Sequence, residues 1–166
     1  MGKLFDIHVD GLSEPFLVRA DPQEDDLMDL RERRLLVAWR RVRFSRQGMP
    51  FHHEMPLSIL DETTPLLAEL MLQPDGDFRY TRFGRTLTSA NGGDLTGRKI
   101  SDFPTPIAKA FLSVYRLAIK TKQPYATRHK PPGPTQVSHW LNLILPLRTE
   151  GYDVGGFLIC GVPMQR

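Results

Sequence analysis

With 166 residues, 40% of them apolar and 25% charged, the chain has the composition of one globular domain, which excludes a fibre and a disordered tail. The single cysteine, Cys160, excludes a disulfide scaffold and a cysteine-based zinc cluster, and it fits a reducing compartment, so a cytoplasmic protein is expected. A formal charge of +3 is too small by itself to call for nucleic acid or an acidic membrane, and the longest uncharged stretch, Val154 to Met164, falls well short of the roughly 20 apolar residues a membrane helix needs.

The first ten residues hold no apolar run of the kind a secretory signal needs, and Asp6 stands where a myristoylation motif has Ser or Thr, so no export signal or lipid anchor is expected. Residues 1–20 show no sustained period and read as an N-terminal arm with one short strand near Phe16-Leu17-Val18. Asp21, Pro22 and Glu24 then spell a helix start, and the reading places a long amphipathic helix over residues 21–47. Its early turns are acidic (Glu24, Asp25, Asp26, Asp29) and its late turns basic (Arg40, Arg41, Arg43, Arg46), which complements the helix dipole. Met28, Leu35, Leu36, Ala38, Trp39 and Val42 form a broad apolar stripe to cover the body of the domain. A second, narrow stripe of Leu30, Val37 and Phe44 recurs every seven residues and is the expected partner or homodimer face. Two heptads without apolar d positions fall short of a coiled coil.

Residues 48–65, punctuated by Pro50, Pro56 and Pro65, read as a connector with one turn of helix. Leu66 to Gln73, which is also good helix text, and Phe78 to Phe83 flank Pro74-Asp75-Gly76-Asp77, and together they read as a hairpin. Residues 85–98 hold Gly92, Gly93 and Gly97 and suggest short helical turns. Thr105-Pro106 opens a helix on which Ile107, Phe111, Val114, Tyr115 and Ala118 recur at helical spacing, with Lys109, Arg116 and Lys120 opposite. Tyr125 to Lys130, Ser138 to Leu147 and Val154 to Val162 read as three closing strands. Leu141, Leu143, Leu145 and Leu147 share one face of the middle strand.

Strand, strand, short helices, one long helix and three strands is the element order of the PAS sensor fold. Phe78-Arg79-Tyr80 with Gly84, then Gly93-Asp94-Leu95-Thr96-Gly97-Arg98 and Phe103, resembles the core of a bacterial subfamily of small stand-alone PAS proteins. Trp39-Arg40-Arg41 upstream and Leu145-Pro146-Leu147 near the end match two further features of that subfamily, so the resemblance runs from about Trp39 to Gly161. Thr81 and Arg85 depart from it, standing where such proteins often have arginine and threonine, and the arm before residue 21 has no counterpart. The resemblance implies an α+β fold: a five-stranded antiparallel sheet over residues 66–166 with helices on one face around a small cavity, preceded by the long N-terminal helix. It implies a sensory or regulatory role through a signalling protein partner, and no catalysis.

The cavity residues expected on this basis are Phe83, Phe111, Tyr115, His139 and Leu141, around an unknown small-molecule ligand. No cofactor is expected. The flavin-binding members carry a reactive cysteine in an Asn-Cys-Arg motif that this chain lacks, and no histidine lies between Ile107 and Lys122 to ligate haem. Cys160, in an apolar strand, reads as a packing cysteine. His52-His53-Glu54 concentrates metal-type ligands, but consecutive residues seldom converge on one ion, so no metal is expected. No nucleophile, base and acid arrangement is legible. The alternative function is a nucleic-acid-associated regulator using Arg31, Arg33, Arg34, Arg40, Arg41, Arg43 and Arg46, against which stand five carboxylates between Glu24 and Glu32.

Overall fold

The computed structural model describes residues 2–133 and 135–166. Among these, seven strands make one antiparallel sheet: β1 (Leu4–Ile7), β2 (Phe16–Ala20), β3 (Leu67–Leu72), β4 (Phe78–Phe83), β5 (Tyr125–His129), β6 (Val137–Thr149) and β7 (Tyr152–Gln165), in the spatial order β1-β2-β5-β6-β7-β3-β4. Four α-helices accompany it: α1 (Leu30–Arg46), α2 (Leu57–Thr63), α3 (Arg85–Asn91) and α4 (Thr105–Thr121).

The expected five-stranded sheet is corrected to seven, because the arm supplies two strands. β2 pairs with β5, setting Leu17 against Arg128 and Val18 against Thr127, and β1 pairs in turn with β2. The driving pattern is a single short alternation: Phe16 and Val18 are fully buried on one face of the sheet, and the arm thereby covers the open edge of β5.

The long N-terminal helix is corrected as well. α1 begins at Leu30, after two strands, and its cap is Asp29, whose carboxylate accepts the Arg31 amide at 2.8 Å. The capping pattern at Asp21 is used differently. Asp21 adopts a left-handed φ of 47°, residues 24–26 form a 3-10 turn, and Leu27 is extended and buried. The stretch before α1 therefore folds back along the helix. The Asp21 carboxylate takes the Arg40 guanidinium at 2.9 Å, whereas nineteen residues of continuous helix would hold the two about 28 Å apart.

Helices cover both faces of the sheet. The side chains of Leu141, Leu143, Leu145 and Cys160 lie on the face covered by α1, where Leu35, Leu36 and Trp39 are buried and the Trp39 indole donates to the Pro146 carbonyl at 2.8 Å. Trp140, Asn142, Ile144 and Ile159 lie on the other face, under α3 and α4. On α4 the expected stripe is the buried one, with Ile107, Ala110, Phe111, Val114, Tyr115 and Ala118 all turned inward. The connector holds more structure than expected, since α2 and two 3-10 turns occupy it.

Candidate functional site

Between α3, α4 and the sheet lies a cavity of about 200 Å³. Its sheet side is built from Ala68 of β3, Tyr80 and Phe83 of β4, Trp140 and Asn142 of β6, and Ile159 and Gly161 of β7. Leu87 comes from α3; Ile107, Phe111 and Tyr115 come from α4; Pro131, Pro132 and Thr135 of the β5–β6 loop close one end. The small residues make the room. A Cβ placed on Gly161 would stand 3.0 Å from Leu87 Cδ2 and 3.1 Å from Asn142 Oδ1.

The walls are mostly rings. Phe111 stacks nearly parallel to Tyr115 with centroids 6.1 Å apart, and its other neighbours are Phe103 at 5.7 Å and Phe16 at 5.4 Å. His129, at the end of β5, stacks on Phe16 at 5.1 Å and meets Phe111 edge-on at 4.9 Å. Burial, with the neighbouring His139 as a second cause, lowers the His129 pKa to about 3, so the imidazole is neutral at physiological pH. Its Nδ1 is buried without a hydrogen-bond partner.

Tyr80, Tyr115 and Asn142 also line this space. Burial pushes both phenols well above the ordinary tyrosine range, which keeps them protonated donors. Among the described residues no Asp, Glu, Lys or Arg lines the cavity. A ligand placed here finds apolar area, two O–H donors, a neutral imidazole and an amide, and no charge to pair with.

Of the five residues expected at the cavity, Phe83, Phe111 and Tyr115 line it. Leu141 and His139 do not. Leu141 points to the opposite face, into a groove shared with Leu17, Leu27 and Glu32 beneath α1. His139 lies outside the cavity, its Nε2 3.0 Å from a Glu14 carboxylate oxygen. The period-two pattern of β6 separated two faces, but the leucine row packs under α1 and the alternate row, Trp140 and Asn142, faces the cavity. Both faces are covered by helices, so hydrophobicity alone does not distinguish them. Tyr80, Trp140 and Asn142 were missed, and His129, which flanks the proline loop opposite His139, was not assigned to the cavity; the usable signal was the parity of a strand carrying one polar amide among apolar neighbours.

The other expected groups are placed as follows. On α1, Leu30 is 58% and Phe44 86% exposed, with Val37 partly buried between them. The histidine pair of the connector does not converge: His52 faces Glu69, His53 stacks on Phe51, and Glu54 binds Arg46. Among the described residues no three His, Cys, Asp or Glu side chains gather as a metal site. Cys160 is buried, and burial holds its thiol well above the usual range.

Six of the seven α1 arginines are engaged within the chain. Arg31 binds Asp29, Arg34 binds Glu62, Arg40 binds Asp21 and Arg46 binds Glu54. Arg33 donates to the Leu27 carbonyl, and Arg43 lies over the Trp39 ring. Among the described residues no helix is long and apolar enough to cross a membrane. No family model, no curated protein and no solved structure matches this chain.

Proposed function

We propose that the protein is a regulatory ligand-binding module, related to the PAS sensors its sequence resembles, which binds a small neutral molecule between α4 and the sheet and signals through a change in protein interaction. The observation that carries this reading is the cavity: an uncharged, ring-lined space whose polar lining is Tyr80, Tyr115, Asn142 and His129, the last with a buried Nδ1 that has no partner among the described residues. Buried polar groups are ordinarily paired, and the unpartnered His129 Nδ1 marks a place where a ligand supplies the partner. The element order from β3 to β7, which is the order on which the resemblance rests, supports the same reading.

The cavity also sets the ligand's chemistry. A cavity of about 150 Å³ holds a benzene ring, so 200 Å³ accommodates one ring with a short substituent. A formal charge would be buried against no counter-ion, which costs several kcal/mol. The ligand is therefore neutral, with one or two acceptor atoms for the tyrosine hydroxyls.

The partner surface is the Leu30, Val37 and Phe44 stripe of α1, and its occupant is a second copy of the chain. Leu30 and Phe44 lie seven residues either side of Val37, so two antiparallel α1 helices related by a two-fold axis at Val37 set each Leu30 against the other copy's Phe44. With most of its arginines engaged within the chain, α1 is better suited to this role, in a cytoplasmic setting, than to phosphate binding.

Hydrogen exchange in the presence of benzyl alcohol, with sodium benzoate as the charged control, tests the reading. Benzyl alcohol is expected to slow exchange in α3, the amino-terminal half of α4 and β6, and benzoate to leave them unchanged. Equal effects of the two probes, or none from either, would overturn it.

A further inference from the structure

A second buried polar group lies on the opposite face of the sheet. Glu32 sits three residues after the Asp29 cap, where an acid ordinarily folds back to accept the cap residue's amide. Here it does not. Its side chain passes beneath the helix, it is 2% exposed, and it has no hydrogen-bond partner among the described residues. It borders a groove of about 260 Å³ whose apolar walls are Leu4, Leu17, Leu27 and Leu141.

The nearest arginines already have partners of their own. Arg31, on the same helix, is bound twice to Asp29. Arg19 of β2 pairs with Asp26 of the preceding turn at 3.5 Å. Arg128 of β5 also borders the groove, and its exposed side chain has no ion-pair partner among the described residues. Cys160 of β7 is held as a neutral thiol. Burial, with the Asp29 carboxylate as a second cause, raises the Glu32 pKa to about 8, so the group is mostly protonated at neutral pH. A leucine at this position would bury more apolar surface without this cost, so stability does not explain the carboxyl.

We propose that the groove beneath the first turn of α1 is a second ligand site, which takes a short-chain alkylammonium ion: the ammonium pairs with Glu32 and the hydrocarbon lies against Leu17, Leu27 and Leu141. On binding, the Glu32 carboxylic acid gives its proton to solvent and becomes the carboxylate that the ammonium hydrogen-bonds. The ligand keeps its own proton throughout, so one proton leaves for each ligand bound below the Glu32 pKa.

The test is calorimetry with n-pentylammonium chloride at pH 7 in two buffers of different ionisation enthalpy, with 1-pentanol as the neutral isostere. The methyl resonances of Leu17, Leu27 and Leu141 report occupancy of this groove, so binding in the other cavity is not counted. The ammonium is expected to bind at least tenfold more tightly than the alcohol and to release close to one proton. Glu32→Gln, a neutral mimic of the protonated acid that preserves packing, is expected to remove that tenfold advantage while leaving the melting temperature at pH 4, where Glu32 is largely protonated in both folded and unfolded chains, nearly unchanged and benzyl alcohol binding intact. Equal affinity of the two probes, or ammonium binding that survives Glu32→Gln, would overturn the proposal.

Discussion

Glu32 and His129 are buried on opposite faces of one sheet, and burial moves them in opposite senses, each toward its neutral form. Each makes stability depend on pH in its own window. The folded pKa of Glu32 is raised to about 8 from 4.5, so its contribution is full below pH 4.5 and is lost as pH rises toward 8. The folded pKa of His129 is lowered to about 3 from 6.5, so its contribution is full above pH 6.5 and is lost as pH falls toward 3. Between pH 4.5 and 6.5 the two slopes cancel, which gives a plateau of stability, with a fall of up to about 1.4 kcal/mol per pH unit on either side. Urea unfolding across pH 4 to 9 checks this. Glu32→Gln is expected to flatten the alkaline side and turn the plateau into a rise from pH 4.5 to 6.5, and His129→Phe to flatten the acid side and turn the plateau into a fall across the same window. A wild-type protein equally stable at pH 6 and pH 8 would contradict the assignment for Glu32. Glu32 did not stand out in the sequence, because it closes a run of acids that reads as a solvated helix face.

At the scale of elements, local chemistry was legible where it was decisive on its own. The stripe of α4 and the Asp75-Gly76 turn between β3 and β4, with Gly76 at a φ of 86°, follow from residue type and spacing. The start of α1 did not, because Asp21 and Asp29 offer the same cap and only the contact between residues 21 and 40 decides between them. The sheet's width was hidden for a related reason: a four-residue strand such as β1 exists only because β2 is already there to pair with it. The junction of β4 and α3 shows how tightly the elements meet. A Cβ on Gly84 would stand 2.4 Å from the Pro65 carbonyl oxygen and 2.6 Å from that of Thr64, both backbone atoms that cannot yield as a side chain can. Gly84→Ala is expected to cost about 1–3 kcal/mol in urea unfolding. Gly93→Ala, where nothing lies within 4 Å of the new Cβ, is expected to be close to neutral. Equal costs at the two positions would contradict the packing described for this junction.

For the molecule as a whole, one sheet carries two helical layers, and the arm is part of the structure that shapes the cavity. Phe16, from β2, is 1% exposed and packs on both Phe111 and His129, so it holds the histidine from behind while the cavity lies in front. Phe16→Ala is expected to destabilise the whole domain by about 3 kcal/mol or more. It is also expected to raise the His129 pKa by admitting water, seen by titrating its ring proton resonances. A variant with unchanged stability would show that the arm is dispensable to the core.

The two tryptophans lie on opposite faces of the sheet, Trp39 bound to the Pro146 carbonyl and Trp140 in the cavity wall. This makes fluorine NMR of protein labelled with 5-fluorotryptophan, titrated with benzyl alcohol, the most direct measurement, with Trp140→Phe assigning the two signals. The Trp140 signal is expected to move saturably while the Trp39 signal stays in place, and sodium benzoate to move neither. A shift confined to Trp39, or no saturable shift at Trp140, would contradict a neutral-ligand cavity between α4 and the sheet.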